Sequence, residues 1–157
     1  GTGLISSIEH PAIREQALAM KHCGWNVVSI PADKNGIITP EAVTQLLTPE
    51  TTLVCVMAVN NETGAYNRID EIGRIAKQHK AYMLADCTQL IGNYLGDNTT
   101  TISEKFPRVD FFTFSAHKIY GPKGVGALYV SNNVKINPII SVANNPHAIP
   151  VNPSINI

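Results

Sequence analysis

The sequence has no excess of either charge: 12 Lys and Arg stand against 12 Asp and Glu, and no local cluster of basic residues breaks the balance. A protein that grips a phosphate backbone needs a basic face, so no nucleic-acid partner is expected. Nowhere does an apolar run approach the roughly 18 residues that a membrane-spanning helix needs, and no charged-then-apolar signal stretch opens the chain. Neither a membrane nor a secretory route is expected, and the chain reads as cytoplasmic. Cysteine is scarce as well. Cys23, Cys55 and Cys87 are odd in number, far apart and in no CxxC or Cys/His spacing, which points to reduced thiols and away from both a disulfide framework and a metal site.

What remains is ample for a core: 157 residues, 44% of them hydrophobic, describe one globular domain or part of one. The chain begins Gly1-Thr2-Gly3 without an initiator Met and runs almost at once into an apolar segment, so a start cut from something longer is expected.

Strand and helix signals alternate. Leu4 to Ile8 reads as a short strand; His10-Pro11 then opens a segment in which Ile13, Ala17 and Met20 recur at helical spacing until Gly24. Trp25 to Ile30 is a β-rich run, Asn35-Gly36 a turn, and Thr39-Pro40 a helix start whose Val43, Leu46 and Leu47 face inward. Leu53 to Met57 has the continuous apolarity of a strand buried on both faces, followed by a helix marked by Ile69, Ile72, Ile75 and Ala76 and ending near His79. Tyr82 to Ala85, Asp110 to Phe114 and Ala127 to Val130 are further strands. This order predicts an α/β fold with a mainly parallel sheet and helices on both faces. Residues 92–108, with Asp97-Asn98-Thr99-Thr100-Thr101, read as a solvated connector without period. From Asn137 to Ile157, five Asn and four Pro without rhythm read as an irregular tail, poorly ordered, rather than a second domain.

Parallel sheets bind ligands at the carboxyl ends of their strands. Three polar clusters fall there: Asn60-Asn61-Glu62, Asp86-Cys87-Thr88-Gln89 and Ser115-Ala116-His117-Lys118. Lys118 follows a buried aromatic strand, where partial desolvation would disfavour the ammonium and leave an amine able to form an imine with an aldehyde; the alternative is a lysine that snorkels to solvent. Asp86 ends an apolar strand and needs a cationic partner to stay ionised, a need that a protonated pyridine nitrogen meets as well as a structural ion pair or a helix cap does. Thr88 and Gln89 can donate hydrogen bonds beside it, to a ligand or simply to backbone. Ser115 and His117 can donate to a phosphate or act as local caps. His10 can lay its imidazole on an aromatic ring or cap the helix it precedes. Gly121-Pro122-Lys123-Gly124-Val125-Gly126 lacks the Gly-Lys-Ser/Thr ending of a phosphate loop and precedes a strand, so it reads as a tight turn. Cys87 has no His in triad spacing and reads as a small buried residue.

Taken together, Glu9-His10, Asn35-Gly36-Ile37-Ile38, Val59-Asn60-Asn61-Glu62-Thr63-Gly64, Asp86-Cys87-Thr88-Gln89 and the run from Ser115 through Ile119-Tyr120-Gly121-Pro122-Lys123-Gly124 to Val130 resemble the pyridoxal-phosphate-dependent cysteine desulfurases of the class V aminotransferase group, the type that serves iron–sulfur assembly. The resemblance covers about residues 4–140, and Ile-Tyr-Gly-Pro-Lys-Gly leans towards this branch over the sulfur-mobilising and selenocysteine-lyase branch. It implies a fold-type I large domain, incomplete, over residues 1–136. It further implies that Lys118 holds pyridoxal 5'-phosphate as an internal aldimine and shuttles protons, that Asp86 pairs with the pyridinium nitrogen, and that Gln89 bonds the phenolic oxygen. By the same resemblance His10 stacks on the ring as an acid–base group, Asn61 contacts the cofactor, and Ser115 and His117 bind its phosphate. The family's reaction takes sulfur from L-cysteine, leaving L-alanine and a persulfide on an enzyme cysteine for an iron–sulfur scaffold or other acceptor protein; the family works as a homodimer.

The sequence departs from the pattern in three ways. The family's upstream Gly/Thr-containing phosphate segment, and its downstream domain with the sulfur-accepting cysteine and an arginine for the substrate carboxylate, have no counterpart in it. None of the three cysteines stands at the acceptor's location, and Cys87 takes the place of a small residue. After Ile140 the glycine-rich continuation of the family gives way to Ser141-Val142-Ala143-Asn144-Asn145. A stretch that turns over L-cysteine poorly or not at all is therefore expected. The rivals are another class V enzyme, such as a selenocysteine lyase, and a fold remnant that binds no cofactor.

Overall fold

The computed structural model describes residues 1–91 and 100–136. In chain order they form β1 (Thr2–Ser6), α1 (Pro11–His22), β2 (Asn26–Ile30), α2 (Pro40–Leu46), β3 (Thr51–Cys55), α3 (Ile69–Gln78), β4 (Tyr82–Asp86), the short α4 (Ile102–Lys105), β5 (Phe111–Ser115), a 3-10 turn (Ala116–Lys118) and β6 (Gly126–Val130). The strands make one six-stranded sheet in the order β2-β1-β3-β4-β5-β6. All neighbours run parallel except β6, which returns antiparallel along β5. The expected mainly parallel α/β architecture is what the chain adopts.

Side chains alternate across a strand, and the alternation here splits the core in two. Leu4 of β1 and Val54 of β3 point to the same side as Val43 of α2, Ile69 and Ile72 of α3, Met83 of β4 and Phe112 of β5, all fully buried. Ile5 and Cys55, the next residue on each strand, point the other way and meet Ala17 of α1. Helices α2 and α3 thus cover one face and α1 the other. Pro at the first helical position starts both α1 and α2, where its missing N–H costs nothing. Thr39 Oγ1 accepts from Ala42 N at 3.2 Å to cap α2, a contact worth about 1 kcal/mol.

The predicted strands are all present, with their ends shifted by at most two residues. The expectation of a featureless connector is overturned in part: residues 92–99 lie outside the described residues, but Ile102–Lys105 is a helical turn. Thr101 Oγ1 accepts from Glu104 N while the Glu104 carboxylate reaches back to Thr101 N, a complete capping box. One turn is too short to show a period, so only the Thr-x-x-Glu signature announces it. The irregular tail predicted for 137–157 lies outside the described residues.

Candidate functional site

At the carboxyl edge of the sheet a cavity of about 310 Å³ opens between the exits of β3, β4 and β5 and the start of α1. That is within the range of small-molecule sites. Each site residue that the resemblance implies lines it, namely His10, Asn61, Asp86, Gln89, Ser115, His117 and Lys118, and so do Met57, Thr88 and Thr113.

Asp86, the last residue of β4, lies on the cavity wall with only 8% of its surface exposed. Its Oδ1 accepts from Thr88 N at 3.0 Å and from Thr88 Oγ1 at 2.6 Å. Its carbonyl oxygen accepts from Ala58 N at 2.8 Å, tying the β3 exit to β4. The ion pairs among the described residues join Lys77 to Asp110 and Arg68 to Glu71 and leave Asp86 out. A buried carboxylate without a cation is costly, and a cationic group in the cavity would relieve that cost. Thr88 therefore turns its hydroxyl to the carboxylate rather than to the cavity.

Lys118 ends the 3-10 turn that follows β5 and is exposed. This corrects the expectation of a partly desolvated lysine: the turn carries the side chain past the strand end to the open rim, and the aromatic strand that precedes it stays beneath. The turn itself is fixed by sequence. Ala116 O accepts from Ile119 N at 3.0 Å and from Gly121 N at 2.9 Å, and a Cβ on Gly121 would stand 2.7 Å from Ala116 Cβ, so no larger residue closes the loop. Gly124, at φ +82, then turns the chain into β6, as the reading of this stretch as a tight turn requires. Ser115 and His117 sit on the same rim, half-buried and exposed respectively.

Of the two roles that the sequence left open for His10, the structure shows the cap. His10 caps α1, its Nδ1 accepting from Ala12 N at 3.2 Å, and its ring lines the cavity. The cap fixes the neutral tautomer: with Nδ1 accepting, the proton resides on Nε2. Asn61 is displayed by its neighbour. Asn60 Oδ1 accepts from Glu62 N, Thr63 N and Thr63 Oγ1 at 2.9 to 3.1 Å, and its Nδ2 donates to Ile8 O at 3.1 Å. This network holds the loop after β3 against the exit of β1 and leaves Asn61 on the outside.

Two residues escaped sequence reasoning. Thr113 faces the cavity from β5 and its buried Oγ1 has no hydrogen-bond partner. The signal was a lone hydroxyl inside Phe111-Phe112-Thr113-Phe114. Glu9 is buried beneath the cavity, although the sequence offered only its place beside His10. Cys87 behaves as read: burial, with the Asp86 carboxylate beside it, pushes its thiol well up, which suppresses the thiolate that a nucleophile needs. Cys55 is pushed up in the same way.

The model of the family described as "Aminotransferase class-V" matches residues 2–144. The chain belongs to the class-V aminotransferase family. Among its class-V relatives, "Cysteine desulfurase IscS" of Clostridium botulinum (strain Hall) is 40% identical over 137 residues, which is 87% of this chain and 33% of the relative. A solved structure named "NIFS-LIKE PROTEIN" superposes with a TM-score of 0.79 at 35% identity over 88% of this chain and 37% of that one. Another, "SspA in complex with cysteine", gives a TM-score of 0.79 at 31% identity over 89% of this chain and 39% of its own. The class-V chain thus spans about a third of the length of the relatives it matches, and the fold-type I reading of its sheet agrees with these neighbours. No helix among the described residues is long and apolar enough to cross a membrane.

Proposed function

We propose that residues 1–136 form part of the pyridoxal-phosphate-binding large domain of a cysteine desulfurase. The observation that carries this reading is that Lys118 and Asp86, set on the ends of separate strands, line one cavity. The arrangement fits the cofactor chemically: a buried carboxylate that lacks a cation stands on the wall, and an amine, a hydroxyl and an imidazole stand on the rim. When bound, pyridoxal phosphate supplies an aldehyde that condenses with amines and a protonated ring that draws electron density from a substrate's α-carbon.

The chain's own groups would then divide the work. Lys118 Nζ, on the cavity rim, would hold the cofactor's aldehyde and would carry a proton at its own nitrogen. Asp86 keeps the proton on the ring nitrogen. Gln89 donates to the phenolic oxygen, and Ser115 with His117 donates to the phosphate. His10 would move a proton at Nε2 beside the cofactor, and Asn61 would contact it from the loop after β3. The substrate is L-cysteine, whose sulfur passes to an enzyme cysteine thiol as a persulfide, destined for an iron–sulfur scaffold or other acceptor protein, with L-alanine as co-product. The complete protein works as a cytoplasmic homodimer. Because this stretch spans a third of its relatives, it turns over L-cysteine poorly alone.

Addition of pyridoxal phosphate to the chain tests the reading. The expected result is a visible band near ~420 nm that is lost in Lys118→Ala, together with a borohydride-fixed adduct on the peptide that contains Lys118. A folded chain that gives no band, or a band indifferent to Lys118→Ala, contradicts the reading and favours a remnant without cofactor. Sulfide and selenide release by the full-length protein from L-cysteine and L-selenocysteine separates a desulfurase from a selenocysteine lyase.

A further inference from the structure

Glu9 occupies the turn between β1 and α1, one residue before His10, and is only 3% exposed. Its Oε1 accepts from Ser6 Oγ, and from Met57 N at 2.6 Å, so the carboxyl reaches from the exit of β1 to the exit of β3. Met57 is itself a wall of the cavity, and the next residue, Ala58, donates to the Asp86 carbonyl. One line of contacts therefore runs from the His10 turn through Glu9 and the β3 exit to Asp86. The second oxygen, Oε2, is buried without a hydrogen-bond partner.

We infer that Glu9 is a positioning residue of the cofactor pocket, which pins the His10 turn to the backbone of Met57 as an uncharged acid and leaves Asp86 as the carboxylate charge of the pocket. The inference rests on the reading of the cavity as a pyridoxal-phosphate site.

The groups around Glu9 argue for the uncharged form. The titratable groups that act on it across the packed elements are Asp86 at the end of β4 and the Cys55 thiol on β3, and neither brings a positive charge. An ionised Glu9 would be a buried anion beside a second carboxylate with one oxygen bare, whereas the neutral acid leaves a single O–H unpaired. In agreement, burial first and the Asp86 charge in addition raise the Glu9 carboxyl to about 7, against the opposing hydrogen bonds from Ser6 and Met57. With both acids ionised, the charge that attracts a pyridinium would be shared between two sites; with Glu9 neutral it lies on Asp86.

The sign of the consequence follows from proton linkage. Between the ordinary carboxyl value of 4.5 and about 7 the folded chain holds a proton that the unfolded chain has lost. Stability from this group is thus greatest below 4.5 and is lost as pH rises through about 7.

The test compares the chain with Glu9→Gln and Glu9→Ala. Urea unfolding of the cofactor-free proteins from pH 4.5 to 8 should show the parent losing stability relative to Glu9→Gln as pH rises, the difference levelling off above about 7. Superimposable pH profiles overturn the inference. Titration with pyridoxal phosphate at pH 6 should leave Glu9→Gln within about threefold of the parent, because the amide keeps the acceptor for Met57 N, while Glu9→Ala loses about tenfold. Equal loss in both variants overturns the neutral-acid role, and equal retention overturns the positioning role. If the parent takes up no cofactor, the reading of the cavity fails, and the pH profiles still decide the protonation state of Glu9.

Discussion

The two edges of the sheet each bury an aspartate, and they treat it differently. Asp110, immediately before β5 on the amino edge, is 4% exposed. Its Oδ2 accepts from Met83 N at 2.8 Å and its Oδ1 lies 3.4 Å from Lys77 Nζ. Its carboxylate has a cation and a backbone donor, and the cluster joins α3, β4 and β5 into one unit. Asp86, on the carboxyl edge, is buried to a similar degree, yet among the described residues its side chain accepts from Thr88 and has no cation in an ion pair, and its place is a cavity wall. The same side chain thus locks packing where its charge is matched within the fold, and faces an open cavity where it is not. A strand's direction decides which: helices and loops close over the amino ends, whereas the carboxyl ends open into the crevice.

Substitutions at the two edges should therefore separate stability from binding. The largest loss of stability is expected for Asp110→Ala, which strands Met83 N in the core and removes the partner of the half-exposed Lys77; chemical denaturation should report a loss of about 2–3 kcal/mol. Cofactor affinity at saturating folded fraction should stay unchanged. Asp86→Asn should do the reverse. The amide still accepts from Thr88, so stability is held or rises slightly, while pyridoxal-phosphate affinity falls about 10- to 100-fold through loss of a charge-assisted contact. If Asp86→Asn unfolded the chain as Asp110→Ala does, the distinction between the edges would fail.

Smaller changes sharpen the same contrast. Thr88→Val removes the 2.6 Å hydroxyl contact to Asp86 and is expected to weaken cofactor binding by about threefold to tenfold, seen as a shifted titration midpoint. At the other edge, Thr51 Oγ1 accepts from Thr48 N at 3.0 Å; Thr51→Val should cost about 1 kcal/mol in denaturation and nothing in binding.

Much of this was legible in the sequence. Continuous apolar runs such as Leu53 to Met57 and the spacing of Ile69, Ile72, Ile75 and Ala76 announce buried strands and an amphipathic helix, because period and apolarity are consequences of burial itself. The gathering of Asn61, Asp86, Gln89, Ser115, His117 and Lys118 followed from strand direction, whereas His10 entered only through the family resemblance. What stayed hidden depends on distances that no local pattern encodes. The one-turn α4 has no period to show, the exposure of Lys118 depends on how a 3-10 turn leaves its strand, and Glu9 becomes a buried acid only because β3 passes between β1 and β4.

The central claim is that Asp86 supplies the charge that keeps a pyridine ring protonated opposite Lys118. The most direct test is nitrogen NMR of the chain loaded with pyridoxal phosphate labelled at the ring nitrogen, in the parent and in Asp86→Asn. The account predicts a protonated nitrogen at neutral pH in the parent and a shift to the unprotonated signal in the variant. A ring nitrogen that is unprotonated in the parent, or identical in both, would contradict it.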